Sequence, residues 1–189
     1  MKKTSTLWVG IVLVVVGAVG LGAVGSYVSP GLPPGRPMRG TMDAMFIEEM
    51  IPHHEDAIAM AELALTRAEH PEVERLAEDV IETQSAEIDL MREWYREWYG
   101  ADVPAFGGSS GMMGDMMNGA IDLDDLETAE PFDRYFIEAM VPHHEIGIMM
   151  SQMVGSTTSR PELRDLADSI IRGQRAEVEK MREWYAEWY

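Results

Sequence analysis

The chain has 189 residues, with 33 acidic against 15 basic side chains and a formal net charge of −18 at pH 7. This acidity disfavours nucleic acid as a partner and favours cations. The absence of cysteine excludes disulfides, thiolate metal sites and a thiol nucleophile, whereas the 16 methionines supply thioether sulfur.

Residues 1–28 predict a targeting element. Lys2 and Lys3 precede an apolar run from Leu7 to about Val28. Such a run can span a bilayer, which needs roughly 20 apolar residues. The small residues before and at Gly25 also resemble a signal-peptide cleavage site. We expect an N-terminal apolar helix that either anchors the chain to the membrane or is cleaved near Gly25, with everything after it exported.

A spacer and a helix hairpin follow. Residues 29–41 are rich in Pro and Gly, which predicts a spacer. Residues 42–99 predict two helices, with Asp43 as the N-cap of the first, Pro71 in the first turn of the second and Gly100 just after its end.

A second hairpin repeats the first. Residues 132–189 align with residues 42–99 without a gap at an offset of 90 residues, and about half of the positions are identical. Asp133 takes the place of the predicted N-cap, and Pro161 that of the proline. Residues 100–131 form a Met- and Gly-rich linker, long enough to cross over the length of a bundle. The duplication predicts an all-α four-helix bundle of ferritin-like topology, built from two hairpins and a long crossover.

The same motif recurs in both hairpins. Pro52-His53-His54-Glu55 returns as Pro142-His143-His144-Glu145, and these copies hold four of the five histidines. Helical spacing places both histidines of each copy at or near the buried face. On the partner helix Gln84 and Glu87 interrupt an apolar stripe, and Gln174 and Glu177 repeat the interruption.

This residue set predicts a metal site. Neutral imidazole suits copper, zinc, iron or nickel, and thioether selects Cu(I). The alternative is that each histidine is a core residue, hydrogen-bonded to Glu87, Gln84 or their repeats. Two explanations fit the methionines at helical spacing: they pack in the core, or they serve as metal ligands. The linker run Met112–Met117 is harder to attribute to a core, and it suggests capture or transfer of Cu(I).

At these residues the sequence resembles domain-of-unknown-function family 305, ferritin-like helical proteins with CopM-like, periplasmic copper-binding members. The resemblance rests on Met50-Ile51-Pro52-His53-His54, on Gln84, Glu87 and Met91, and on their repeats. It implies a helical bundle and copper binding through Met and His. The ligand candidates that it implies are Met50, His53, His54, Met60 and Met91, and Met140, His143, His144, Met150 and Met181. Glu87 and Glu177 complete the set as its inward carboxylates.

These observations favour an exported copper-binding protein, with zinc and iron as alternative ions, that buffers, carries or detoxifies the metal. Its partners would be the metal ion, the membrane and an unidentified metal-transfer protein. A ferritin-like di-iron oxidase or peroxidase is the first alternative, but it needs Glu-x-x-His pairs, and Met50 and Ile51 occupy those places. The second alternative is a metal-free helical interaction module.

Overall fold

The structure, a computed structural model, describes residues 42–104 and 123–189. These residues form five helices and no strand: α1 (Met42–Arg67), α2 (Pro71–Tyr99), α3 (Leu123–Thr128), α4 (Phe132–Thr157) and α5 (Pro161–Trp188). The predicted all-α class is thereby confirmed. The predicted apolar helix in residues 1–28, the spacer and the methionine run of the linker lie outside the described residues.

Two hairpins make the bundle. Helix α1 packs on α2, α4 packs on α5, and contacts between α1 and α4 join the hairpins, while α3 touches both α1 and α4. Within residues 42–104 and 123–189, no helix is long and apolar enough to cross a membrane.

The core divides into two apolar clusters, one at each end of the bundle. The first, end A, contains the N-terminal half of α1, the C-terminal halves of α2 and α4 and the N-terminal half of α5. The second, end B, contains the opposite half of each of these helices, together with Leu126 of α3. Helices α1 and α4 therefore run antiparallel, and their midpoints lie between the two clusters.

Matching polar contacts show that the hairpins are related by an approximate twofold axis. The Tyr95 hydroxyl donates to Glu48 at 2.5 Å, and the Tyr185 hydroxyl donates to Glu138 at 2.6 Å. Arg92 pairs with Glu55 in the same way as Arg182 pairs with Glu145. The sequence repeat is therefore also a repeat of tertiary contacts.

Proline and glycine mark the helix ends. Pro71 and Pro161 occupy the first turns of α2 and α5, where a missing N–H costs no helical hydrogen bond. Gly100 follows α2 with φ of 67°, and its N–H bonds the carbonyl of Arg96. This left-handed conformation favours glycine because a Cβ atom would be strained there.

The predicted N-cap role of Asp133 is wrong. Helix α4 begins at Phe132, so Asp133 lies inside its first turn. Its fully buried carboxylate instead accepts the backbone N–H groups of Glu69 and His70, at 3.0 and 2.8 Å. Asp133 thus closes the turn of the other hairpin. Asp43 likewise lies within the first turn of α1 rather than before it.

Candidate metal centre

Four imidazoles meet at the middle of the bundle, between the two apolar clusters. The rings of His53 and His143 face each other across the twofold axis, with centroids 3.8 Å apart. Each lies 6.3 Å from the ring of its chain neighbour, His54 or His144, and both neighbouring pairs are tilted by 54°. We call these four side chains the histidine cluster, with His53 and His143 as its inner members and His54 and His144 as its outer members.

The helices that carry the cluster contain an internal proline. Pro52 lies inside α1 and Pro142 inside α4, and both helices continue past them. Proline has no N–H for the carbonyl four residues earlier and displaces it. The distortion therefore falls on the turn that presents the histidines.

The outer histidines bind the inward glutamates. His54 Nε2 lies 2.8 Å from Glu87 Oε2, and His144 Nε2 lies 2.7 Å from Glu177 Oε2. A carboxylate accepts, so Nε2 of each ring carries the hydrogen. The Nδ1 atom of each ring then carries no hydrogen and has a free lone pair. Both Nδ1 atoms are buried without a hydrogen-bond partner.

The inner histidines are less well satisfied. His53 Nε2 donates to the backbone carbonyl of His143 at 3.1 Å, which leaves the buried Nδ1 of His53 without a partner. His143 is partly exposed as a residue, yet both of its ring nitrogens are buried and unpartnered. Buried polar atoms in folded proteins are nearly always hydrogen-bonded.

The four free Nδ1 atoms distinguish the two interpretations of the histidines. The hydrogen bonds to Glu87 and Glu177 agree with the core interpretation, but they use only one nitrogen of each ring. A histidine kept for packing would need a partner for the other nitrogen, because leaving it bare costs about 1–3 kcal/mol. Four such unpartnered nitrogens in one cluster are more than the core interpretation accounts for.

Burial keeps the inner imidazoles neutral. It lowers the pKa of His53 well below its usual value, and the neighbouring imidazoles of His143, His54 and His144 lower it further. Burial first, and then His144 and His54, lower the pKa of His143 to about 3. The neutral ring is the form that binds a metal.

The structure groups the six candidate methionines by end of the bundle rather than by repeat. All six are at most 3% exposed. End A contains Met50, Met91 and Met150, and end B contains Met60, Met140 and Met181. Met60 and Met150, which the resemblance assigns to ligand sets of their own repeats, therefore pack with the other repeat.

Within the described ranges, no three histidine, aspartate or glutamate side chains are grouped so that they could hold a metal ion. The inward carboxylates Glu87 and Glu177 each bind one outer histidine.

The sequence-based site did not include three residues that the structure singles out. Gln84 and Gln174 are buried, and Gly147 lies between Gln174 and His53, so that a Cβ atom on Gly147 would come within 2.5 Å of Gln174 Oε1 and 3.1 Å of His53 Cε1. The signal was present in the sequence, because both glutamines interrupt an apolar stripe and Gly147 replaces Ala57 in the second repeat.

The profile of the family described as domain of unknown function DUF305 matches residues 43–185. The chain belongs to the DUF305 family. Among solved structures it is similar to CopM in a Cu(I)-bound form, with 45% identity and a TM-score of 0.71 over 79% of this chain and 99% of that one. For CopM in a Cu(II)-bound form, the identity is 49% and the TM-score 0.72, over 78% of this chain and 97% of that one.

Two further proteins are similar to this chain, one over most of its length and one over a short segment. A DUF305 candidate secreted protein from Streptomyces coelicolor is 26% identical, with a TM-score of 0.69 over 78% of this chain and 93% of that one. An uncharacterized protein of Acanthamoeba polyphaga mimivirus is 35% identical over 49 residues, which are 26% of this chain and 32% of the relative. The chain thus matches about a third of that curated relative's length.

Proposed function

We propose that this DUF305 protein is an exported copper-binding protein that buffers, carries or detoxifies the ion at the histidine cluster. The observation that carries the proposal is the set of four buried, unpartnered Nδ1 atoms at the centre of the bundle. The similarity over nearly the whole of CopM, in forms with Cu(I) and Cu(II), supports copper as the metal.

Each part of the site has a chemical task in this proposal. Glu87 and Glu177 hold the outer imidazoles with Nε2 protonated, so that Nδ1 is presented to the ion. Met50 and Met91 lie one helical turn from His54 and Glu87 respectively, at end A. Their thioethers add soft donors, which favour Cu(I) over harder ions. By the twofold relation, Met140 and Met181 do the same for His144 at end B.

The direct test measures metal affinity on the full chain. Cu(I) is titrated without oxygen against a chromophoric chelator, and Cu(II), Zn(II) and Fe(II) are titrated in parallel. We expect Cu(I) to bind most tightly. Copper affinity no higher than that of an ordinary acidic protein would refute the proposal.

Replacing Met50 and Met91 with Leu should weaken Cu(I) binding more than Cu(II) binding, because thioether prefers the softer ion. The fold should tolerate the change, since exchange of Met for Leu in a core usually costs less than about 1.5 kcal/mol. Met45→Leu is the matched control, because Met45 lies on the same helix but is 44% exposed. Equal losses for both copper ions would argue against thioether ligation.

Export and membrane attachment are part of the proposal. Lys2 and Lys3 before the apolar run support them, and the relative from Streptomyces coelicolor is described as a candidate secreted protein. A periplasmic or surface reporter fused after Tyr189 should be active only outside the cytoplasm, because the lysines remain on the cytoplasmic side. Reporter activity inside the cell would contradict export.

A further inference from the structure

The histidine cluster is sealed inside the described part of the bundle. His53, His54 and His144 are fully buried, and both ring nitrogens of His143 are buried as well. The rings of His53 and His143 meet across the contact between α1 and α4, which joins the two hairpins. An ion reaches buried rings only when the helices around them move, and separation of the hairpins uncovers these rings most directly. The contacts that hold the hairpins together therefore bear on how an ion enters and leaves.

A trio of side chains joins the hairpins at end B. Nδ1 of His70 donates to Oδ2 of Asp133 at 2.7 Å, and the ring of His70 stacks on that of Trp188, with centroids 3.7 Å apart and planes 3° apart. His70 lies in the turn of the first hairpin, whereas its partners lie in the first turn of α4 and at the end of α5. Arg67 also pairs with Glu130 across this end, but the glutamate is exposed, so the pair contributes little. We call the trio the end-B latch.

The same trio recurs at end A with one change of side chain. Residues 160, 43 and 98 are equivalent to residues 70, 133 and 188 at the offset of 90. Nε of Arg160 lies 3.5 Å from Oδ2 of Asp43, and the guanidinium carbon lies 3.8 Å from the ring centroid of Trp98. We call this trio the end-A latch. In both repeats, then, a planar nitrogen-bearing side chain from the turn of one hairpin lies over a tryptophan and contacts an aspartate of the other hairpin.

The end-B latch is the tighter of the two. Asp133 is fully buried, and besides the His70 ring it accepts the backbone N–H groups of Glu69 and His70. Hydrogen bonds to a carboxylate are stronger than those between neutral groups. Asp43 is 16% exposed, and its contact with Arg160 is longer. Opening end B therefore breaks more, and stronger, hydrogen bonds than opening end A.

Building on the proposed copper-binding function, we propose that the two latches gate the exchange of copper at the histidine cluster. With both latches closed the hairpins stay docked, and an ion is held in or kept out. Release of a latch lets the hairpins part and exposes the facing rings of His53 and His143. The latches lie at the ends of the bundle and contribute no ligand, so they set the rates of uptake and release and leave the equilibrium affinity unchanged.

The test measures both rates for Cu(I) on the full chain carrying His70→Ala. Loaded protein is mixed with a chromophoric chelator, at concentrations where the rate no longer depends on the chelator and opening of the protein limits it. Loss of a hydrogen bond to a buried carboxylate should raise the release rate by about 10-fold. Uptake should speed up by the same factor. Arg160→Ala should raise both rates by less, because the end-A latch is the weaker one.

A conservative variant and a matched control accompany this change. His70→Arg should return both rates toward those of the wild type, because arginine fills the equivalent place at end A. Tyr185→Phe is the control. Its hydroxyl joins α5 to Glu138 of α4 inside one hairpin, so its loss should lower stability without freeing the hairpins, and both rates should stay unchanged.

Amide hydrogen exchange reports the end-B latch without any copper. The backbone N–H of Glu69 donates to Asp133 across the hairpins. Its protection should fall in His70→Ala, recover in His70→Arg and stay unchanged in Tyr185→Phe. This readout follows the latch itself, whereas the copper rates follow its effect on the histidine cluster.

Three results would overturn the gate while the copper function stands. The first is loss of Glu69 protection in His70→Ala with both copper rates unchanged, which would mean that the latch opens without controlling exchange. The second is faster release without faster uptake, which would mean that His70 acts on affinity. The third is an equal effect of Tyr185→Phe, which would mean that exchange follows general loosening of the bundle. A wild type that binds no copper refutes the proposed function, and the gate with it.

Discussion

Replacing His53 and His54 together with Ala should remove most of the high-affinity Cu(I) binding of the whole protein rather than half of it. The reason is the arrangement of the histidine cluster. The ring of His53 lies 3.8 Å from that of His143, across the twofold axis. Removing His53 and His54 therefore also leaves the His143 ring without its neighbouring ring, and it removes the hydrogen bond from His53 Nε2 to the backbone carbonyl of His143. The matching change at His143 and His144 should have the same effect.

The helices should survive this change, although with reduced stability. Removing His54 leaves the largely buried carboxylate of Glu87 without its partner, which costs about 1–3 kcal/mol. Adding Glu87→Leu to the double variant should recover stability but not copper binding. His70→Ala is the control, because His70 is the one histidine outside the cluster and binds Asp133 instead. If copper binding survives the loss of either histidine pair, the interpretation that both pairs share one site is wrong. Circular dichroism checks that the helices remain.

Metal-free protein should lose stability steeply as the pH falls from about 6.5 toward 4.5, and the inner histidines should account for a large share of the loss. Burial lowers the pKa of His143 to about 3 in the folded protein, whereas an unfolded chain protonates histidine near pH 6.5. Between these values the unfolded state holds more protons than the folded state, so stability falls as the pH falls. At about 1.4 kcal/mol per pH unit, His143 alone should cost roughly 2–3 kcal/mol by pH 4.5.

The variant His143→Gln isolates this contribution. Glutamine stays neutral throughout the range, so its stability curve should be flatter than that of the wild type by about the amount expected for one histidine. The many carboxylates titrate alike in both proteins and cancel in the difference. Urea unfolding at pH 7, 6, 5 and 4.5 supplies the curves. Parallel curves for the two proteins would mean that His143 takes up its proton normally in the folded state.

The sequence alone determined the elements of this protein. The repeat at an offset of 90 residues and the helical spacing of apolar residues predicted two hairpins and an all-α bundle, which the structure confirms. Pro71 and Gly100 marked helix ends correctly, because their backbone constraints act within one turn. The buried face of the paired histidines, and the inward position of Glu87 on the partner helix, could also be predicted, because spacing along a helix decides which face a side chain occupies.

Only the tertiary structure decided which of those faces meet. Nothing in the spacing indicated that the ring of His53 would lie against that of His143. Nor did it indicate that Met60 and Met150 would each pack at the end of the bundle that holds the other repeat's methionines. The same holds for Asp133, which looked like a cap for its own helix and instead closes the turn before α2. These contacts join residues far apart in sequence, and they depend on how the two hairpins dock. Docking in turn settles which ring nitrogens of the histidine cluster are hydrogen-bonded and which are left without a partner.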